Sequence, residues 1–227
     1  MKKKLIIFGT GKLADLLVDS IGDDPESEYE LVAYTIDEKC YKEKEKKGLP
    51  VIRFEEIEYK FDPKSCVMIV AVGYHKMNAI RAEKSKQVEA KGYTLASFVH
   101  SKADVSSTAR IGKNVIIVNN VSIGMSVTIG DNVDIFSGAV ISHDAILGNN
   151  VWVAPGSVVG GEATIGENCF LGMNSTIGNE IKIGANNFIG ANALVTKNTK
   201  NDSVYIVSDT PKCRLNTSQF MDVFKFC

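Results

Sequence analysis

A ladder of aliphatic residues with a period of six dominates the sequence. From residue 105 to residue 195, all sixteen positions spaced six apart are aliphatic. They are Val105, Ile111, Ile117, Ile123, Ile129, Ile135, Ile141, Leu147, Val153, Val159, Ile165, Leu171, Ile177, Ile183, Ile189 and Val195. A period of six fits neither an α-helix nor a plain alternating strand. It is typical of a solenoid whose flat faces each consist of one short strand and one turn.

The neighbours of this ladder point to the same architecture. Glycine follows ten of the sixteen aliphatic residues, and we expect these glycines to turn corners, often with positive φ. Small or β-branched residues mostly stand two positions before each aliphatic residue, so both inward positions of each strand are filled. The sequence therefore predicts a parallel β-helix over residues 101–200, with equivalent residues stacked about 4.8 Å apart.

The first hundred residues have a different pattern. Apolar strands are predicted at 4–8, 30–36 and 67–72, and helical patterns follow the first and the third. A further short strand is predicted at 94–99. Alternating strands and helices indicate a parallel βαβ sheet, here a half-sized Rossmann-like domain over residues 1–100.

The hexad pattern fails at Asn201, and residues 201–227 form a separate tail. Phe220, Val223 and Phe224 stand at helical spacing near its end. They predict a short amphipathic helix that caps the open strand edges of the final coil.

Composition excludes several classes of protein. The 227 residues carry a formal net charge of −1, which favours neither nucleic-acid nor membrane binding. No stretch approaches a transmembrane span or the core of a signal peptide. Five scattered cysteines without C-x-x-C spacing indicate reduced thiols, and we expect a cytoplasmic protein.

Together, the hexads and the initial strand, Gly9-Thr10-Gly11-Lys12-Leu13-Ala14 turn and helix resemble the hexapeptide-repeat acyltransferases. The similar branch comprises sialic-acid O-acetyltransferases and nucleotide-amino-sugar N-acetyltransferases, which make bacterial surface sugars such as those of lipopolysaccharide. The resemblance implies a left-handed β-helix, whereas the usual rule for parallel crossovers would give a right-handed one. It also implies acetyl-CoA as co-substrate, no metal, and a homotrimer with three sites between neighbouring chains.

The resemblance also assigns the chemistry. His143 stands at a corner where similar enzymes carry their general base, and Asp144 would fix its tautomer. With three hexads per coil, residues 18 apart lie above one another, which places Gly161 beside His143. We expect the Gly161 N–H to approach the thioester carbonyl. The same column continues through Asn179 to Lys197, which would lie near a phosphate of coenzyme A.

Three more positions concern the cofactor. Met173 and Ala191 stand at the matching corner one face away, where similar proteins make main-chain contacts to coenzyme A. Trp152 stands where many relatives have a second histidine. We expect it to pack against the cofactor or a neighbouring subunit, but it cannot act as an imidazole.

The Rossmann-like domain supplies the candidate nucleotide-sugar site. The Gly9-Thr10-Gly11-Lys12 turn fits G-x-G-x-x-G/A after a strand, with the helix N-terminus facing phosphate. Lys12 replaces a histidine that many relatives have. Asp37, at the end of the second strand, could accept from a base N–H or a ribose hydroxyl. His75, Asn78 and Arg81 follow the third strand, where they either bind the substrate or simply start a helix.

These features predict an acetyl-CoA-dependent N-acetyltransferase acting on a UDP- or dTDP-linked amino deoxysugar by direct transfer. O-acetylation of a sialic-acid-like sugar and a non-catalytic trimeric scaffold are the alternatives. A zinc carbonic-anhydrase-like site needs three clustered histidines, and residues 105–195 contain only His143.

Overall fold

In the computed structural model, which describes residues 2–223, an open sheet domain is followed by a long solenoid. The N-terminal elements are β1 (Lys3–Phe8), α1 (Lys12–Asp23), β2 (Tyr29–Ile36), β3 (Glu45–Lys46), β4 (Leu49–Arg53), α2 (Ile57–Lys60), β5 (Cys66–Val70), α3 (Ala79–Ala90) and β6 (Thr94–Leu95). Single turns of 3₁₀ helix cover Glu38–Cys40 and Phe54–Glu56. The sheet order is β3-β4-β2-β1-β5-β6, parallel except for the β3–β4 edge hairpin.

Three apolar strands form the centre of this sheet. β1 lies between β2 and β5, so the carboxyl ends of all three meet at one edge. Leu5, Ile6 and Ile7 are fully buried, because helices and loops cover both faces. This edge is where ligands of parallel sheets bind.

The solenoid begins three residues before the predicted boundary of 101. Its strands are β7 (Phe98–Val99), β8 (Asp104–Val105), β9 (Arg110–Ile111), β10 (Ile116–Ile117), β11 (Ser122–Ile123), β12 (Thr128–Ile129), β13 (Asp134–Ile135), β14 (Val140–Ile141), β15 (Ile146–Leu147), β16 (Trp152–Val153), β17 (Val158–Val159), β18 (Thr164–Ile165), β19 (Phe170–Leu171), β20 (Thr176–Ile177), β21 (Lys182–Ile183), β22 (Phe188–Ile189), β23 (Leu194–Val195) and β24 (Val204–Tyr205).

These strands form three parallel sheets, which are the faces of a triangular prism. Each face takes every third strand. Face 1 contains β7, β10, β13, β16, β19, β22 and β24. Face 2 contains β8, β11, β14, β17, β20 and β23, and face 3 contains β9, β12, β15, β18 and β21. Every pairing up to β23 joins residues 18 apart, such as Ile117 with Ile135. Fourteen of the sixteen ladder residues are buried, all except Val105 and Ile111 in the first coil, which confirms the predicted core.

The corners correct one expectation. Positive φ falls three residues after fourteen of the sixteen aliphatic residues, mostly on asparagine, as at Asn114, Asn132 and Asn150. Asparagine adopts this conformation more readily than most other residues that carry a Cβ. The glycines directly after the ladder have another role. A Cβ at Gly130 would lie 2.8 Å from the backbone nitrogen of Asn149 in the next coil, so glycine permits the close approach of successive coils.

The last coil is shorter than the others. Phe188 pairs with Val204 and Ala185 bonds to the side chain of Asn201, both over 16 residues. The spacing of 18 therefore ends at Val195. The predicted C-terminal helix forms as α4 (Thr217–Val223), but its described side chains are exposed in the single chain. Its role as a cap remains a prediction, and Phe224 lies outside the described residues.

Buried polar contacts join the two parts of the chain. Arg81 of α3 has no exposed surface and forms an ion pair with Asp134 of β13. Its guanidinium also donates to the backbone oxygens of Val70, Asn132 and Asn114. Burial raises the pKa of the Asp134 carboxyl and lowers that of the Arg81 guanidinium, and each charge opposes the shift of the other. This network fixes α3 against the corners between faces 3 and 1.

Candidate active site

The candidate base lies at a corner between faces 2 and 3, directly after β14. His143 Nδ1 lies 3.0 Å from Asp144 Oδ2, and both side chains are more than half exposed. Asp144 has a φ of 57°, a left-handed conformation that aspartate tolerates better than most residues. Because the carboxylate accepts from Nδ1–H, the lone pair of the neutral imidazole lies on Nε2.

Gly161 lies against the face of this imidazole ring. A Cβ at position 161 would be 2.7 Å from His143 Nε2 and 2.8 Å from Cε1. Counting 18 residues from His143 thus brings the two residues together as predicted. A Cβ would also be 3.3 Å from Cδ2, so it would lie over the plane of the ring, and glycine is what lets the next coil approach the imidazole this closely.

The Gly161 N–H corrects a second expectation. It donates to Asn179 Oδ1 at 2.9 Å, so it is not free to approach a thioester carbonyl. Asn179 therefore belongs to the column, as predicted, but it holds the backbone of Gly161. Lys197 is exposed and lies just beyond Val195, where the spacing that placed it over Asn179 ends.

Replacing Gly161 with alanine should lower kcat while leaving the fold intact. The new Cβ would displace the imidazole, and misplacement by about 1 Å can cost about 100-fold in rate. We expect a loss of about 10- to 100-fold in kcat, with the KM of both substrates little changed. Gly178→Ala is the matched control, because the nearest atom to its new Cβ is 3.4 Å away. Equal kcat values in both variants would contradict this role of Gly161.

Met173 and Ala191 lie at the corners between faces 1 and 2, one face away from His143. Both are exposed, and the Met173 carbonyl accepts from the N–H of Asn192 at 2.8 Å. Within residues 2–223 the N–H of Ala191 makes no hydrogen bond. That exposed donor suits a main-chain contact with an amide of coenzyme A, which remains a prediction.

Trp152 lies elsewhere. It projects outward from β16 on face 1, half-buried among Phe136 at 4.6 Å and Tyr74 at 5.2 Å between ring centroids. In this chain it packs against Tyr74 of the N-terminal domain, and the expected contact with the cofactor or a neighbouring subunit stays a prediction. A sequence pattern could not show this contact, because Tyr74 lies 78 residues away.

A second candidate site lies at the carboxyl edge of the N-terminal sheet. A cavity of about 660 Å³ opens there, lined by six of the eight residues predicted to bind a nucleotide sugar. These six are Gly9, Thr10, Gly11, Lys12, Asp37 and His75. Lys39 and Lys76 add positive charge to the same walls, whereas the charge of Lys84 is paired with Asp37.

The glycines of the first loop shape this cavity in two ways. Gly9 has a φ of +119°, and a Cβ there would be 2.6 Å from the oxygen of Ala71, so the chain itself requires glycine. Gly11 has no such constraint, because a Cβ would meet nothing within 4 Å. Its small size instead leaves the N-terminus of α1 open, and such a terminus favours phosphate.

Asn78 and Arg81 do not line the cavity, which corrects their assignment to the substrate. Both side chains are fully buried, and Asn78 Nδ2 donates to the backbone oxygen of Asn150 at 2.6 Å. They join α3 to the solenoid instead. For Asn78 and Arg81 the structure therefore agrees with the alternative prediction, in which these residues start a helix.

Lys84 is a cavity residue that no sequence motif indicated. Its Nζ lies 2.6 Å from Asp37 Oδ1 and 5.6 Å from the centroid of the Phe8 ring. Lys84 lies on α3, three residues after Arg81. Its position on the helix that follows β5 is the only sequence feature that could have indicated it. Among the described residues no donor bonds to Asp37 Oδ2, so this oxygen can accept from a ligand.

Comparisons with known proteins agree with this architecture. Residues 162–197 match the family model described as bacterial transferase hexapeptide (six repeats). No curated protein matches the chain significantly by sequence. Among the described residues, no group of three metal-ligating side chains is present and no helix is long and apolar enough to span a membrane.

Several solved structures are similar over most of the chain. One is a histidine-to-alanine variant of GDP-perosamine N-acetyltransferase from Caulobacter crescentus, in complex with CoA and GDP-perosamine. It is 25% identical with a TM-score of 0.79, covering 88% of this chain and 92% of that one. The acetyltransferase domain of PglB from Neisseria gonorrhoeae FA1090, in complex with acetyl coenzyme A, is 23% identical with a TM-score of 0.76 over 89% and 97%. WeeI from Acinetobacter baumannii AYE is 16% identical with a TM-score of 0.73 over 89% and 96%.

The chain thus combines a Rossmann-like N-terminal domain with a solenoid of six-residue repeats, part of which matches the hexapeptide family model. The matches confirm the predicted resemblance to the left-handed β-helix acyltransferases and the predicted fold class.

Proposed function

We propose that this protein transfers the acetyl group of acetyl-CoA to the amine of a nucleotide-linked amino deoxysugar. The observation that carries the proposal is the exposed His143 imidazole at a corner of the solenoid, held at Nδ1 by Asp144 and packed against Gly161 of the next coil. Similar structures are an acetyltransferase with acetyl coenzyme A and an N-acetyltransferase with CoA and GDP-perosamine. The likeness to the second supports an acyltransferase with acetyl-CoA as co-substrate.

In this reaction a C–N bond forms and the C–S bond of the thioester breaks. His143 Nε2 takes the proton of the attacking amine and can return it to the departing thiolate of CoA. Asp144 stabilises the imidazolium between these two steps. The products are the amide and free CoA thiol, and no acyl-enzyme is needed.

The nucleotide part of the acceptor fits the cavity of the N-terminal domain. The open N-terminus of α1 and the surrounding lysines suit a diphosphate, and the free oxygen of Asp37 suits a ribose hydroxyl or a base N–H. The predicted carriers were UDP and dTDP. The GDP-perosamine in the similar structure adds GDP as a third carrier to test.

Cys40 offers a direct test of this cavity. Its thiol is exposed and lines the cavity, so we expect a bound nucleoside diphosphate to slow its alkylation by iodoacetamide. At ten times the Kd, the rate should fall by about tenfold. Exposed Cys213 in the tail is the internal control, and peptide mass mapping measures both rates. If UDP, dTDP and GDP all leave the Cys40 rate unchanged, the cavity is not a nucleotide site.

We propose that a complete active site is built from more than one chain. The N-terminal domain covers the corners between faces 3 and 1, through Arg81 and Asn78, whereas His143 lies at the corner between faces 2 and 3. In the homotrimer that we propose, the cavity of one chain would approach His143 of a neighbour. Sedimentation of the purified chain tests this assembly against the 24.7 kDa of a monomer.

O-acetylation of a sugar hydroxyl would use the same base and remains the nearest alternative. A thermal-shift measurement with coenzyme A distinguishes the enzyme from the non-catalytic scaffold. Coenzyme A should raise the melting temperature of an enzyme that binds it and leave that of a scaffold unchanged.

A further inference from the structure

The proposed reaction gives no role to a row of aromatic side chains on face 1. Trp152, Phe170 and Phe188 project outward from three successive coils and pair with one another in register. Their rings are nearly parallel, with interplanar angles of 12° and 2°. All three are half-buried rather than fully covered.

Tyr74 connects this aromatic row to the nucleotide cavity. Its ring centroid lies 5.2 Å from that of Trp152 and 4.8 Å from that of Phe170. The next residue, His75, stacks on Tyr74 at an interplanar angle of 18° and lines the cavity. The loop of Tyr74 and His75 therefore contacts the aromatic row through one residue and lines the cavity through the next.

The structure of this loop shows that the position of Tyr74 is specified. Lys76, Met77 and Asn78 all have positive φ, between 50° and 64°. Such strain persists only where the surroundings hold it, and Asn78 is fixed by its bond to the oxygen of Asn150. Tyr74 nevertheless keeps 51% of its surface exposed, so the packing is incomplete.

We infer that Tyr74, Trp152 and Phe170 form a subsite for the sugar ring of the nucleotide sugar. This inference rests on the proposed function. A diphosphate at the N-terminus of α1 would let its sugar extend past His75, which lines the cavity and stacks on Tyr74. The apolar C–H groups of a deoxysugar match aromatic rings, whereas its charged diphosphate matches the lysines of the cavity.

Trp152 is the only tryptophan of the chain, so its fluorescence reports on this subsite alone. The probes are UDP, GDP and dTDP together with UDP-glucose, GDP-fucose and dTDP-rhamnose. We expect the matching nucleotide sugar to change the Trp152 emission at concentrations where it protects Cys40. The corresponding nucleoside diphosphate should protect Cys40 without the same change in emission.

Variants at Tyr74 test the subsite by affinity. Tyr74→Ala should weaken binding of the nucleotide sugar by roughly tenfold while leaving the affinity for the nucleoside diphosphate unchanged. Tyr74→Phe keeps the ring and should bind like the wild type. Tyr59→Ala is the matched control, since Tyr59 is 82% exposed in the same domain and does not line the cavity.

The outcomes separate the two proposals. If nucleotide sugars protect Cys40 but leave the emission and the Tyr74→Ala affinity unchanged, the aromatic subsite is wrong while the nucleotide cavity stands. An equal emission change with the nucleoside diphosphate also overturns the subsite. If no nucleotide or nucleotide sugar protects Cys40, the proposed function fails, and this inference fails with it.

Discussion

Replacing His143 with alanine is expected to reduce turnover by about 10²- to 10⁴-fold, the usual contribution of a general base. The side chain is more than half exposed and, within residues 2–223, hydrogen-bonds to Asp144 alone, so its removal should not disturb the solenoid. Because the base acts on the attacking amine, the loss should lie in kcat rather than in the KM of acetyl-CoA. Continuous detection of free CoA thiol measures both parameters.

Asp144→Asn is the companion variant for this prediction. An amide can still accept a hydrogen bond from Nδ1–H but cannot stabilise the imidazolium by charge. We expect a smaller loss in kcat than for His143→Ala, with both variants melting near the wild-type temperature. Turnover of His143→Ala within about threefold of the wild type would rule out a base contribution of the usual size.

The second large effect concerns stability. Arg81→Leu should destabilise the protein by about 3–5 kcal/mol, because it leaves the fully buried Asp134 carboxylate without its partner. It also removes the donor to three backbone oxygens, of Val70, Asn132 and Asn114. Denaturant-induced unfolding followed by circular dichroism measures the difference.

The double variant Arg81→Leu/Asp134→Leu separates the cost of the unpaired Asp134 charge from the cost of the three backbone oxygens that lose their donor. It removes the uncompensated charge but not the unpaired carbonyls, so it should be more stable than Arg81→Leu alone. Arg110→Leu is the control, since Arg110 is exposed on the solenoid and should change stability by less than about 0.5 kcal/mol. An Arg81→Leu protein as stable as the Arg110→Leu control would contradict the role of this network.

The repeat made much of the fold predictable. Each hexad position recurs, so the ladder specified the buried residues and the coil length of 18 that brought Gly161 to His143. Non-repetitive features carried weaker signals. The sequence did not predict the strand Leu49–Arg53. After Val195 the coil shortens from 18 to 16 residues, and the hexad pattern no longer marks which residues are equivalent.

The errors at the candidate sites share one physical cause. Asn78 and Arg81 were judged from local sequence, but their partners Asn150 and Asp134 are more than fifty residues away. The sequence does contain one indication that Asp134 has a buried partner. Asp134 is the only charged outward residue between Ile116 and Phe188 on face 1, where its neighbours are Ile116 and Trp152.

The same limit applies to the Gly161 N–H. Coil counting placed Asn179 above Gly161, yet it could not show that the amide oxygen would occupy the backbone donor. Side-chain rotamers decide such contacts, and the repeat specifies only the backbone.

The most direct measurement of the central claim is the mass of the acceptor after incubation with the enzyme and acetyl-CoA. The panel consists of UDP-, dTDP- and GDP-linked amino deoxysugars, including GDP-perosamine, with His143→Ala as the control. We predict that one carrier gains a single acetyl group on its amine, with stoichiometric release of CoA thiol that His143→Ala largely abolishes. Release of thiol without acetylated sugar, or no acetylation of any member of the panel, would contradict the account.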